Sequence, residues 1–190
     1  MRILCVIVLC AFGAVAWAAP APSPDDRDAA RVSSLFQDRV RAYVALQKEL
    51  EGSLAGTNAA TEVERLKGHQ DGLAHSIAAA RQASRRGDIF TPEVTALFRS
   101  IIREALEGRE GRRIRRTIME GDPEKATVLQ VNGVYPEEIP LGTMPPTILR
   151  RLPSLPVELA YRFVGTSLVL KDVKTNLILD FMPEVMLRGR

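Results

Sequence analysis

The chain carries few residues of the types that do chemistry. Its two histidines, His69 and His75, lie six residues apart in a segment of helical pattern. At 3.6 residues per turn they point about 120° apart. Asp71 and His75 do have the i, i+4 spacing of helical metal ligands. One imidazole and one carboxylate fall short of a coordination sphere, so the reading is a solvated or partly buried imidazole, with no metal and no cofactor. No serine stands in a G-x-S-x-G elbow, and Ser167 follows Gly165-Thr166 in what reads as a hairpin turn. Glycoside hydrolysis needs only two carboxylates, and Asp172 and Asp180 flank a turn. Asp172 reads as a turn residue. Strict strand alternation puts Asp180 on the face opposite Leu179 and Phe181, where it is expected to be exposed. Glu137 and Glu138 read as solvated. With no catalytic constellation, the expectation is a non-enzymatic protein.

Positive charge is the feature that concentrates. Residues 108–116 read GREGRRIRR, which places Arg109, Arg112, Arg113, Arg115 and Arg116 within eight residues. Guanidinium forks suit phosphate and carboxylate groups. This run is therefore the candidate patch for an anionic partner such as lipid headgroups or an envelope polymer. Glu107 and Glu110 dilute it. Cations at a helix end also complement the helix dipole, so a purely solvated helix face is the competing reading. The two glycines of GREG lack the preceding strand and the lysine of a phosphate loop. The formal charge of the whole chain is +3, too small to imply a nucleic-acid partner.

The elements that must position these residues follow from hydrophobic spacing. Val32, Phe36, Val40, Tyr43, Leu50 and Leu54 recur every three or four residues, with Gln47 as the polar exception. Asp25 or Asp26 is placed to cap this first helix, and Gly52 with Gly56-Thr57-Asn58 to close it. Val63, Leu66, Gln70, Leu73, Ile77 and Ala80 form a second amphipathic stripe, so the two helices read as an antiparallel hairpin. After a break at SRRGDIF, Thr91-Pro92-Glu93 supplies an N-cap, a proline at the first helical position and an acidic first turn. Val94, Leu97, Phe98, Ile101, Ile102, Ala105 and Leu106 make the third helix a broad apolar stripe. The arginine run is expected as its exposed extension or as a linker, and Gly121-Asp122-Pro123 as the end of the helical half.

The remainder changes character. Residues 128–131 read as a strand before an Asn132-Gly133 turn. Pro136, Pro140, Pro145, Pro146, Pro153 and Pro156 then forbid a central strand or a long helix. This strap is expected to run extended, with one short helical turn near Thr147 to Arg151. It should dock Leu149, Leu152 and Leu155 on the chain's own helices, with docking on a partner as the alternative. Three apolar runs, 159–164, 168–173 and 177–182, separated by Gly165-Thr166-Ser167 and Lys174-Thr175-Asn176, read as a β-meander. The fold class is thus α+β: an N-terminal three-helix layer, a Pro-rich strap and a C-terminal meander packed on the helices. The boundaries are residues 27–120 for the helical region, 121–156 for strand and strap, and 157–190 for the meander.

Residues 1–19 read as a signal peptide. Arg2 gives the positive start, residues 3–15 the apolar run, and Ala16-Trp17-Ala18 the small-residue cleavage site. A spanning helix needs about 20 apolar residues, more than this run supplies. Cys10 follows Leu9 rather than the small residue a lipidation signal wants. Residues 20–26 form a Pro-rich leader, expected to be disordered. Cys5 and Cys10, the only cysteines, both lie in the signal, so the exported chain would be cysteine-free. Its 25 basic and 23 acidic residues would leave it near +2, and its stability would rest on a packed core.

The stretch GDIFTPEV, the segment IPLGTMPPTILRRLPSLP and the ending ELAYRFVGTSLVLKDVKTNLILDFMPEVM resemble an uncharacterised family of exported bacterial proteins of about this length. The resemblance covers residues 27–186. It implies this architecture and export, and it brings no activity. The pattern YRFVGTSLVLKDVKTNLILDFM is also similar to the C-terminal hairpin of small periplasmic accessory proteins linked to nickel and cobalt homeostasis. Two functional classes follow: an interaction or scaffold protein of the periplasm or extracellular space, binding another envelope component, and a small-molecule- or metal-binding accessory protein. Mass spectrometry of the exported chain should find Ala19 or Pro20 at the N-terminus. An intact Met1 would overturn the cleavage.

Overall fold

The computed structural model describes residues 23–54, 62–120, 128–136 and 144–186. The expectations for the signal peptide, the start of the leader, the Gly56-Thr57-Asn58 turn, Gly121-Asp122-Pro123 and Glu137-Glu138 lie outside the described residues. Within them the protein is α+β, with helices in the N-terminal half and a three-stranded antiparallel sheet at the C-terminal end.

Helix α1 spans Pro24–Leu54 and begins inside the stretch read as leader. Ser23, not an aspartate, caps it. Its hydroxyl accepts from Asp26 N–H at 3.1 Å, and Asp26 accepts in return from the Ser23 amide and hydroxyl. This reciprocal box, followed by a proline at the first helical position, holds residues 24–26 in a helical turn. Helix α2 spans Glu62–Ala80 and packs on α1. Helix α3, Pro92–Ala105, starts as its sequence indicates, with the Thr91 side chain accepting from Val94 N–H.

The arginine run is a helix in its own right. The chain breaks at Leu106-Glu107 and restarts as α4, Gly108–Glu120. Gly108 sits at φ +68°, a left-handed conformation that glycine adopts without penalty. A side chain on Gly111 would lie 2.0 Å from the Leu106 carbonyl carbon, so only glycine lets α4 turn back this tightly. Ile114 then reaches the main core.

Strands β1 (Leu159–Val164), β2 (Ser167–Asp172) and β3 (Ile178–Met182) form a meander in sequence order. Residues 128–131 form no strand, and Val128 is 92% exposed. The chain meets the start of β3 at the Asn132-Gly133 turn, where Asn132 N–H donates to Ile178 O and Ile178 N–H to Gly133 O, both at 2.8 Å, and Val134 then bridges to Leu177. Asn132 at φ +62° turns the backbone out of extended geometry just where pairing begins. Leu129 and Tyr135 cover the outer face of the sheet, over Val164, Val169 and Ile178.

The strap docks largely on the chain itself. Met144, Ile148 and Leu152 are buried in the main core, and Leu155 packs against it. Leu149 stays exposed, because helix α5 (Pro146–Leu149) points the adjacent Ile148 inward. At the centre stand four rings, one from each surrounding segment: Phe36 of α1, Phe90 before α3, Phe98 of α3 and Tyr161 of β1. The Phe36 and Phe98 rings are 5.0 Å apart and tilted by 60°, a favoured aromatic arrangement. Because Phe98 is fully buried and touches helix and sheet alike, Phe98→Ala should cost about 3–5 kcal/mol in chemical denaturation. Leu97→Ala, half-buried, should cost less. Equal losses would contradict this picture of the core.

Candidate functional site

Asp180 is not where local pattern puts it, whereas Asp172 is the turn residue its position indicates. Both are fully buried. Asp180 pairs with Leu170, and the register then slips, so Ile178 pairs with Lys171 and Leu179 becomes an extra residue. A β-bulge of this kind breaks strict alternation. Leu179 and Asp180 therefore both turn toward the helices, while Ile178 and Phe181 pack on the outer face. The Asp180 carboxylate accepts from the amides of Gly87, Ile89 and Phe90 at 2.8–3.2 Å, and from Phe181 N–H at 2.8 Å. Gly87, at φ +95°, makes the turn that aims these amides inward. Asp172 does shape its turn, accepting from Lys174 and Thr175 N–H at 2.7 and 2.8 Å. Its other oxygen accepts from the Tyr43 hydroxyl and, at 2.6 Å, from the Gln47 amide. That bond explains the one polar residue on the inner stripe of α1.

Arg81 stands among these groups, its guanidinium 5.1 Å from the centre of the Tyr43 ring and donating to Leu179 O at 3.0 Å. Burial lowers its proton affinity, and the charges of Asp180 and Asp172 oppose that fall. Burial, reinforced by the Asp172 charge and hydrogen bond, pushes the Tyr43 hydroxyl well above its ordinary value. Both carboxylates are inaccessible and occupied by donors, so they fasten the sheet to the helices and offer no acid or base to a substrate.

The histidines are separate. His69 Nε2 lies 3.8 Å from Glu51, which also binds Lys174, and the Lys174 bond lowers the Glu51 carboxyl below the ordinary range. His75 is exposed. Among the described residues no three His, Cys, Asp or Glu side chains gather. Ser167 opens β2 beside Gly165, whose φ of +56° marks the hairpin turn.

The five arginines of the run separate into two groups. Arg109, Arg112, Arg113 and Arg116 stand at i, i+3, i+4 and i+7 of α4 and are exposed, so they share one face. Gly111 and Ile114 hold the opposite face in the protein. Arg115 stands on the flank and instead lines a cavity of about 320 Å³ with Arg99 and Arg103 of α3. Leu106, Val185 and Met186 supply apolar wall, and Glu184 stands at the same cavity. Sequence reading missed Arg99 and Arg103. Their signal was a pair of like charges at i, i+4 on α3, which costs a helix about 0.2–0.5 kcal/mol and invites a reason. Arg99 donates to Pro183 O at 3.1 Å, which ties the end of the sheet to α3.

Comparison with known proteins finds no matching family model, no matching curated protein and no matching solved structure.

Asp180→Ala should remove about 3–5 kcal/mol of stability, since it strands several buried amides and the Arg81 charge. Asp180→Asn keeps the volume but turns donors toward donors, so it should still be clearly destabilised. Denaturant midpoints near wild type for both would refute the structural role.

Proposed function

We propose that this chain is an exported, non-enzymatic interaction protein of the cell envelope that adsorbs to an anionic envelope component through the arginine face of α4. The observation that carries the reading is the common exposed face of Arg109, Arg112, Arg113 and Arg116, set opposite a face held in the protein. A basic amphipathic helix that inserts into lipid needs its apolar side available. Here Ile114 is buried in the core, so only charge is offered. At an anionic lipid surface each arginine contributes about 1 kcal/mol. Four together supply about 4 kcal/mol, which corresponds to millimolar affinity. Such adsorption is weak, reversible and salt-dependent, and gains strength from a second contact. The signal peptide and the resemblance to exported proteins support the address. The cavity between α3 and α4 supports a second reading, a small-molecule-binding accessory protein.

Cosedimentation tests the main reading. The exported protein should pellet with phosphatidylglycerol vesicles at low salt and release at moderate salt, as the screening length shrinks toward about 8 Å. A variant with Gln at Arg109, Arg112, Arg113 and Arg116 should bind at least tenfold more weakly, and phosphatidylcholine vesicles should bind neither protein. Equal sedimentation of variant and wild type would refute the reading.

A further inference from the structure

We propose that the open cleft between the end of α2, residues 129–133 and β3 binds a short oligosaccharide. The cleft measures about 760 Å³, within the range of small-molecule sites. Its rim carries Gln82, Ser84, Arg85 and Gln130, and its floor carries Leu129 and Phe181.

The rim selects the ligand by what its groups exchange. An amide side chain and a hydroxyl each donate and accept hydrogen bonds, whereas a guanidinium only donates. Gln82, Arg85 and Gln130 are exposed, and among the described residues no hydrogen bond takes their side chains. Ser84 Oγ accepts from Arg81 Nε at 3.4 Å and keeps its own O–H to donate. A simple anion only accepts, so it would meet the amide carbonyls with nothing to give them. A sugar hydroxyl donates and accepts in turn, which suits a rim of amides, a hydroxyl and a guanidinium.

The floor selects a ring over an open polyol. A pyranose presents a face of C–H bonds, which packs on the electron-rich face of an aromatic ring. Leu129 and Phe181 are half-buried, packed below on the outer face of the sheet and open above to the cleft. The Arg86 guanidinium lies 5.7 Å from the centre of the Phe181 ring and brings further N–H donors beside it.

The walls stand without a ligand. Asn132 ties its segment to both neighbours, its N–H donating to Ile178 O at 2.8 Å and its Nδ2 to Arg81 O at 2.7 Å. Across the cleft, Arg85 N–H donates to Asp88 at 2.8 Å and Gly87 N–H to Asp180 at 3.0 Å. A preformed cleft loses little freedom on binding. Its open side admits a chain of sugars rather than enclosing one ring.

The site stands apart from the surface reading, because no α4 arginine lines it. The test is a nuclear magnetic resonance titration of the exported chain with chitotetraose, cellotetraose and maltotetraose, each beside its monosaccharide, and with tripolyphosphate. Saturable amide shifts at Gln82, Arg85, Gln130 and Phe181 are expected with at least one tetrasaccharide, which should bind at least tenfold more tightly than its monosaccharide. Ala at both Gln82 and Gln130 should weaken that binding about tenfold, the loss of two neutral hydrogen bonds. Phe181→Leu keeps apolar packing and removes the ring, so binding should weaken several-fold. Gln at the four exposed α4 arginines should leave it within twofold, even where vesicle adsorption is lost. Both glutamines are exposed, so the double variant should fold as wild type does, and its thermal midpoint checks this. Absence of saturable shifts with all three tetrasaccharides, or an unchanged affinity in the double variant, would overturn the site. Tripolyphosphate binding at these residues more tightly than every tetrasaccharide would overturn the sugar.

Discussion

The fold depends on a charge placed where charge is expensive. Removing a carboxylate from water costs several kcal/mol, and the interior returns that only through complete hydrogen bonding. Asp180 meets the condition by gathering the amides of Gly87, Ile89 and Phe90 across to the sheet, together with that of its neighbour Phe181. The loop between α2 and α3 satisfies part of its N–H groups in its own turns, such as Ser84 to Arg81 O and Asp88 to Arg85 O. The carboxylate takes those of Gly87, Ile89 and Phe90, and the loop ends with Ile89 and Phe90 inside the core. The start of α3 is thereby placed against β3.

A second clasp repeats the principle two residues further along β2 than Leu170, the partner of Asp180. Asp172 closes the β2–β3 turn with one oxygen and holds Tyr43 and Gln47 of α1 with the other. Arg81, at the end of α2, lies between the two acids and over the Tyr43 ring. The aromatic quartet of Phe36, Phe90, Phe98 and Tyr161 fills the space these polar contacts define. Hydrophobic burial supplies most of the driving force, while the two aspartates fix which helix meets which strand.

The arginine-bearing surface inherits its geometry from this frame. With α3 held, the tight corner at Gly108 and Gly111 sets the direction of α4. The same corner turns Arg115 toward Arg99 and Arg103 while Arg109, Arg112, Arg113 and Arg116 face outward. Charges spread along a helix face act additively and are screened by salt. Arg99 and Arg103 stay exposed as well, but they stand together with the part-buried Arg115 around one cavity rather than along one helix face. One run of sequence thus yields two electrostatic environments.

What the sequence by itself determined is the part governed by local periodicity. The stripe Val32, Phe36, Val40, Tyr43, the Thr91-Pro92 start of α3 and the three runs of the meander all appear where spacing and capping place them. These signals lie within a turn or a hairpin of the residues they govern. The Ser23 box was equally local, but the composition of the leader masked it. Tertiary structure alone decided the rest. The bulge at Leu179 reversed the side of the sheet on which Asp180 lies, since one inserted residue breaks a period of two. The polar Gln47 on an apolar stripe made sense only once Asp172, 125 positions along, stood beside it. Arg99 and Arg103 joined Arg115 because a glycine corner brought α4 back, a contact that depends on chain direction and close approach rather than on any pattern within either helix.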